Sequence, residues 1–200
     1  MRKILLSLFV ALLASHAAAS QNILVFGDSL SAGYGLAKQE AWPSLLDIRL
    51  KDKAPAYTVV NASISGETTA GGRSRLDAAL QQHKPAIVII ELGANDGLRG
   101  LPLASMQDNL AAMIQNSQKA GAKVILIGMR LPPNYGKDYT EKFAANYASL
   151  SKQHKTGLVP FLFEGLNNAD AFQADRLHPT AASQPQMLDT VWKVLKPLLK

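Results

Sequence analysis

No cysteine occurs anywhere in the 200-residue chain. Disulfide bonds and lipid attachment through an N-terminal cysteine are therefore excluded, and the fold must rest on its apolar core alone. Basic residues are scattered, with no run of five or more, which argues against nucleic acid as a partner. The apolar stretch Ile4 to Ala14 covers 11 residues, too short to span a bilayer. No Gly-x-Gly-x-x-Gly follows the first strand-like run, which speaks against a nucleotide- or flavin-binding turn there. Gly-x-Ser-x-Gly is absent around Ser29, so the nucleophile elbow of the α/β-hydrolases is absent too. The histidines show no His-Glu-x-x-His spacing, which disfavours a zinc enzyme. No internal repeat, linker or low-complexity segment divides the chain.

What is present begins with an export signal. Arg2 and Lys3 form a positive start, Ile4 to Ala14 an apolar centre, and Ala17-Ala18-Ala19 a small-residue cleavage site. The expectation is a signal peptide over 1–19 and one domain over 20–200, in a bacterial periplasm or the medium. Loss of Arg2 and Lys3 lowers the formal charge from +6 to +4. That residual charge reads either as ordinary solubility or as attraction to anionic lipid headgroups or acyl carriers, with transient contact to membrane lipids and a monomeric state as expectations.

The domain alternates strand and helix. Ile23-Leu24-Val25-Phe26 is a buried strand, bounded by Gly27. Further strands are expected at Val59-Val60, Ile87 to Ile90, Val124 to Ile127 and Leu158 to Phe163. Helices are expected over Ala41 to Lys51, Arg73 to His83, Pro102 to Ala120, a face through Tyr139, Phe143, Tyr147 and Leu150, and a last one from Met187 to Leu198. Near-continuous apolar strands and strict alternation predict an α/β fold with a parallel, doubly wound, five-stranded sheet.

The polar motifs fall at strand ends. Gly27-Asp28-Ser29-Leu30 follows the first strand, Ser65-Gly66-Glu67 the second, and Gly93-Ala94-Asn95-Asp96 the third. Asp175 and His178 lie between the fifth strand and the last helix. A doubly wound sheet brings these loops to one edge. Together they supply the parts of acyl transfer. A serine hydroxyl needs a base to take its proton, and His178 can serve Ser29 in that way. Asp175 can fix the histidine tautomer and stabilise the imidazolium. The Ser29 and Gly66 N–H groups and the Asn95 amide are candidate donors to an oxyanion. Each residue also has a plain structural reading: Ser29 as a helix N-cap, Asn95-Asp96 as a turn, Asp175 as a cap with Asp170 as a rival acid. His83 and His154 sit beside lysines at helix ends and read as surface residues.

These blocks, with Arg130-Leu131-Pro132-Pro133-Asn134-Tyr135-Gly136 and His178-Pro179, resemble the SGNH, or GDSL-type, hydrolase superfamily, and in particular its exported bacterial esterases, thioesterases and lysophospholipases. The resemblance implies a three-layer flavodoxin-like fold. It implies Ser29 as nucleophile, Asp175 and His178 as its partners, and an oxyanion hole of Ser29, Gly66 and Asn95. It implies hydrolysis of small-molecule acyl esters and thioesters with no metal and no organic cofactor. One position departs from the pattern: Arg176 stands where these enzymes commonly have glycine. A bulky cation there is expected to narrow the site or to compete for the Asp175 carboxylate.

Leu98, Leu131, Pro132 and Tyr135 lie in loops beside the proposed site and are expected to wall an acyl chain. The rival reading is that they only seal the core. Two other functions fit the same residues less fully: a carbohydrate or peptidoglycan O-acetylesterase, and a periplasmic lipid binder without turnover.

Overall fold

The computed structural model describes residues 21–199, so the signal-peptide reading of Met1–Ala19 lies outside the described residues. Five strands form one sheet: β1 (Gln21–Gly27), β2 (Tyr57–Asn61), β3 (Ile87–Glu91), β4 (Lys123–Ile127) and β5 (Gly157–Val159). Every neighbouring pair is parallel, in the order β2-β1-β3-β4-β5. β1 and β3 are central and buried on both faces, with Ile23 to Phe26 and Ile87 to Ile90 almost wholly removed from water. Each such side chain contributes about 1.5–3 kcal/mol on burial, which is why a cysteine-free chain can hold this sheet.

Among the described residues, seven helices accompany the sheet: α1 (Ser29–Ala32), α2 (Trp42–Lys53), α3 (Thr69–His83), α4 (Ala94–Leu98), α5 (Leu103–Lys119), α6 (Lys137–His154) and α7 (Gln184–Leu195). α2 packs on α7, whereas α3, α5 and α6 pack side by side. The two groups make the outer layers of an α/β/α sandwich. The chain leaves β1 toward β2 on one side and returns to β3 on the other. The crevice for a ligand therefore opens at the carboxyl ends of β1 and β3.

Three elements differ from the sequence expectation. α3 begins at Thr69, four residues before Arg73. The Thr68 hydroxyl caps the Gly71 N–H at 3.3 Å, and Asp96 takes the Thr69 N–H at 2.9 Å. Gly71 and Gly72 masked this start. A Cβ on Gly72 would lie 2.4 Å from the Leu92 side chain, so the glycine records close helix–sheet packing rather than a loop. β5 stops at Val159, not Phe163, because Pro160 has no N–H to offer the ladder. The chain stays tied to the residue after β4, with Gly128 N–H donating to Val159 O at 2.7 Å and Leu162 N–H to Gly128 O at 3.1 Å. Finally, the segment after β3 is not an open turn: Ala94 to Leu98 is the short helix α4.

Candidate active site

The turn after β1 is built over a buried acid. A Cβ on Gly27 would meet Glu91 Oε2 at 2.7 Å and Ser31 Oγ at 2.8 Å, so this turn requires glycine. Asp28, not Ser29, is the N-cap of α1: its Oδ1 accepts the Leu30 N–H at 3.0 Å. Ser29 is consequently the first residue of the helix, and its hydroxyl is left to face His178.

His178 arrives on the loop between β5 and α7. Its Nε2 lies 2.8 Å from Ser29 Oγ and its Nδ1 lies 2.7 Å from Asp175 Oδ2. Asp175 Oδ1 accepts the N–H groups of Leu177 at 2.9 Å and His178 at 3.0 Å. The backbone N–H of His178, then its ring, then the Leu177 N–H hold the Asp175 carboxyl down to about 2. The loop is closed by Gln173 N–H donating to His178 O at 2.8 Å and by a bridge between Phe172 and Pro179. The Tyr34 ring stacks at a tilt on the imidazole, 4.5 Å between centroids. Asp170, the rival acid, sits exposed in the 3₁₀ turn Ala169–Ala171, and it is Asp175 that His178 meets.

Arg176 behaves differently from the expectation. Its φ is +58°, in the left-handed region that glycine enters freely and other residues enter at a cost. Among the described residues it forms no ion pair, so it does not compete for Asp175. Its side chain instead lines the groove described below.

Donors surround the space in front of Ser29 Oγ. Among the described residues, neither the Ser29 N–H nor the Gly66 N–H is given to an acceptor. Gly66 holds φ +78°, and its carbonyl accepts from Arg99 at 2.9 Å, which ties the second-strand loop to α4. Asn95 Nδ2 donates to Asp28 Oδ2 at 3.0 Å and to Glu67 O at 3.1 Å. Asn95 is thus brought to Ser29 by the first turn of α4, with neighbouring Asp96 buried against Thr69.

Two carboxyls lie beneath these donors. Burial raises Asp28 to about 6 against the Leu30 N–H, Asn95 and His178, which all pull it down. Burial, and then the charge of Asp28, push Glu91 well above the usual carboxylate range. The sequence reading missed Glu91. Its signal was there: an acid closing an otherwise fully apolar strand. Among the described residues, no three His, Asp or Glu side chains are grouped as metal ligands.

A groove of about 620 Å³ leads away from Ser29 and His178. Leu98, Leu131 and Pro132 line it, as the sequence reading expected. Leu131 belongs to the buried core as well. Tyr135 does not line the groove: its hydroxyl reaches back to Leu98 O at 2.9 Å and pins the end of α4. The missed wall is aromatic. Phe161, Phe163 and Phe172 stand edge to face in series, with centroids 5.7 and 5.4 Å apart, and Arg130 covers Phe161 at 4.6 Å. Phe161 and Phe163 are hidden in the sequence because the run from Leu158 to Phe163 reads as one strand.

The profile of the GDSL-like lipase/acylhydrolase family matches residues 25–184. The chain is similar to esterase TesA of Pseudomonas aeruginosa, with 52% identity over 201 residues and 100% of each chain covered. It is also similar to the thioesterase 1/protease 1/lysophospholipase of Escherichia coli, at 42% identity over 193 residues, covering 96% of this chain and 91% of that one. Among solved structures, the crystal structure of TesA superposes with a TM-score of 0.87 at 53% identity, covering 90% of this chain and 100% of that one.

Proposed function

The chain belongs to the GDSL-like lipase/acylhydrolase family, and on that footing we propose that it hydrolyses carboxylic esters and thioesters through an acyl-enzyme on Ser29. The observation that carries the reading is the continuous relay from Ser29 Oγ to His178 Nε2 at 2.8 Å and from His178 Nδ1 to Asp175 Oδ2 at 2.7 Å. His178 Nε2 takes the hydroxyl proton as Oγ attacks the substrate carbonyl. Asp175 holds the ring through Nδ1–H and stabilises the imidazolium that forms. The free N–H groups of Ser29 and Gly66, with the Asn95 amide, receive the oxyanion. His178 then gives its proton to the leaving alcohol or thiol. Water, activated by the same imidazole, releases the acid and restores Ser29.

The groove supports acyl groups longer than acetyl, because an acetyl ester would leave Phe161, Phe163 and Phe172 untouched. This disfavours the O-acetylesterase reading. Arg99, Arg130 and Arg176 are all exposed around the site and none forms an ion pair among the described residues, which suits leaving groups of negative charge. A lipid binder without turnover has no use for the serine–histidine–aspartate relay. Export to the periplasm and a monomeric state belong to the same reading. A fluorophosphonate probe tests it: the wild type should be labelled at Ser29, and Ser29→Ala should lose both labelling and ester turnover. Labelling at Ser31 or Ser65 would overturn the assignment.

A further inference from the structure

We propose that Glu91 and Asp28 hold one proton between them in the core, and that the Asp28 carboxylate kept ionised in this way is the positioning residue that aims the Asn95 amide at the oxyanion. The inference rests on the reading of Asn95 as an oxyanion donor. It adds a buried carboxyl relay that runs under the nucleophile.

The geometry carries the argument. Glu91 is wholly buried and Asp28 is 1% exposed. The two carboxyls are neighbours in the core, with the Asp28 backbone N–H directed at Glu91 Oε2, and two acids so placed away from water cannot both be ionised at low cost. Glu91 Oε2 accepts the Ser31 hydroxyl at 2.8 Å and, at 3.4 Å, the Asp28 N–H. Glu91 Oε1 finds no partner among the described residues. A fully buried carboxylate with an orphaned oxygen and no ion-pair partner is unfavourable, and a proton on Glu91 removes the difficulty. Glu91 then donates to Asp28 as a neutral acid.

Asp28 has every reason to be the ionised member. Its Oδ1 takes the Leu30 N–H and its Oδ2 the Asn95 amide, so both oxygens are set as acceptors. The titratable groups facing the pair are few. His178, on the loop before α7, favours charge on Asp28 when protonated; Tyr147 of α6 sends its hydroxyl to Leu92 O at 3.1 Å and remains neutral. The Asn95 amide has two hydrogens. Asp28 fixes one, which leaves the other, now on Glu67 O at 3.1 Å, as the one an oxyanion can claim. A protonated Asp28 no longer presents two acceptors, and the amide loses its fixed direction. Burial places that loss near pH 6.

The test combines infrared spectroscopy with kinetics. Wild-type protein at pH 8 should retain the carbonyl band of a protonated carboxylic acid, and Glu91→Gln should lose it while keeping the fold. No such band in the wild type, or a band that survives in Glu91→Gln, would overturn the shared proton. This readout does not depend on turnover, so it stands apart from the fluorophosphonate test of Ser29. Asp28→Asn should lower kcat by at least about tenfold with KM within about twofold. A raised KM with kcat intact, or no change in either, would overturn the positioning role. Glu91→Gln, whose amide can still donate to Asp28, should recover most of the kcat that Glu91→Ala loses. Equal loss in the two variants would show that the proton donor is not needed.

Discussion

Asn95 gives away both amide hydrogens in the resting structure, to Asp28 and to the Glu67 carbonyl. Only the second is exchangeable for an oxyanion without dismantling the turn after β1. The gain therefore comes when charge develops on the carbonyl oxygen, not when substrate docks. Asn95→Ala should lower kcat by on the order of 10² to 10³, with a smaller change in KM, in steady-state ester hydrolysis. At Arg176 the issue is backbone. With φ at +58°, Arg176→Gly should be more stable than Arg176→Ala by about 1 kcal/mol in urea melts, since both lose the side chain and only glycine is unstrained there. At the residue scale, what was legible is convergence: the loops that carry Ser29, Gly66, Asn95, Asp175 and His178 do come together. Glu91 was not legible, because its meaning depends on Asp28, which follows the Gly27 that pairs with Glu91 across the sheet.

Elements were legible where one periodicity ruled. β1, β3 and β4 are continuous apolar runs and lie where those runs do. Misreadings came where an apolar run served something other than the sheet. Pro160 turns the chain out of β5, so Phe161 and Phe163 face the groove instead of a neighbouring strand. In the proposed acyl groove the aromatic side chains thus join Leu98, Leu131 and Pro132, and Tyr135 leaves the set. Each methylene that the wall buries contributes up to about 0.8 kcal/mol, so kcat/KM should climb from acetyl to medium-chain esters and then level off. Phe161→Ala should flatten the climb and leave acetyl-ester hydrolysis nearly unchanged, as read from a p-nitrophenyl ester series. Tyr135→Phe should act differently. It frees Leu98 O and the end of α4, loosening the loop without shortening the groove.

At the scale of the whole molecule, the buried carboxyls set stability against ionisation. Asp28 is raised to about 6, so the folded state holds its proton where the unfolded chain has lost it. Its contribution is complete below about pH 4 and is lost as pH rises through about 6, by at most about 3 kcal/mol. Glu91 extends the same trend to higher pH. Asp175 has the opposite sign: lowered to about 2, it favours the fold above about pH 4 and ceases to do so as pH falls toward 2. Urea melts of the wild type relative to Asp28→Asn should show the wild-type advantage shrinking between pH 4 and pH 7. An advantage that grows over that range would contradict the burial assigned to Asp28.

The separation of 149 positions between Ser29 and His178 has a temporal meaning. A chain made from its N-terminus carries Ser29 through almost the whole of synthesis without His178 beside it. Phe161, Phe163, Phe172 and Asp175 arrive in the same late stretch as the histidine. On the proposed function, a fragment ending before residue 175 should therefore hydrolyse no ester, whatever portion of its sheet has already formed.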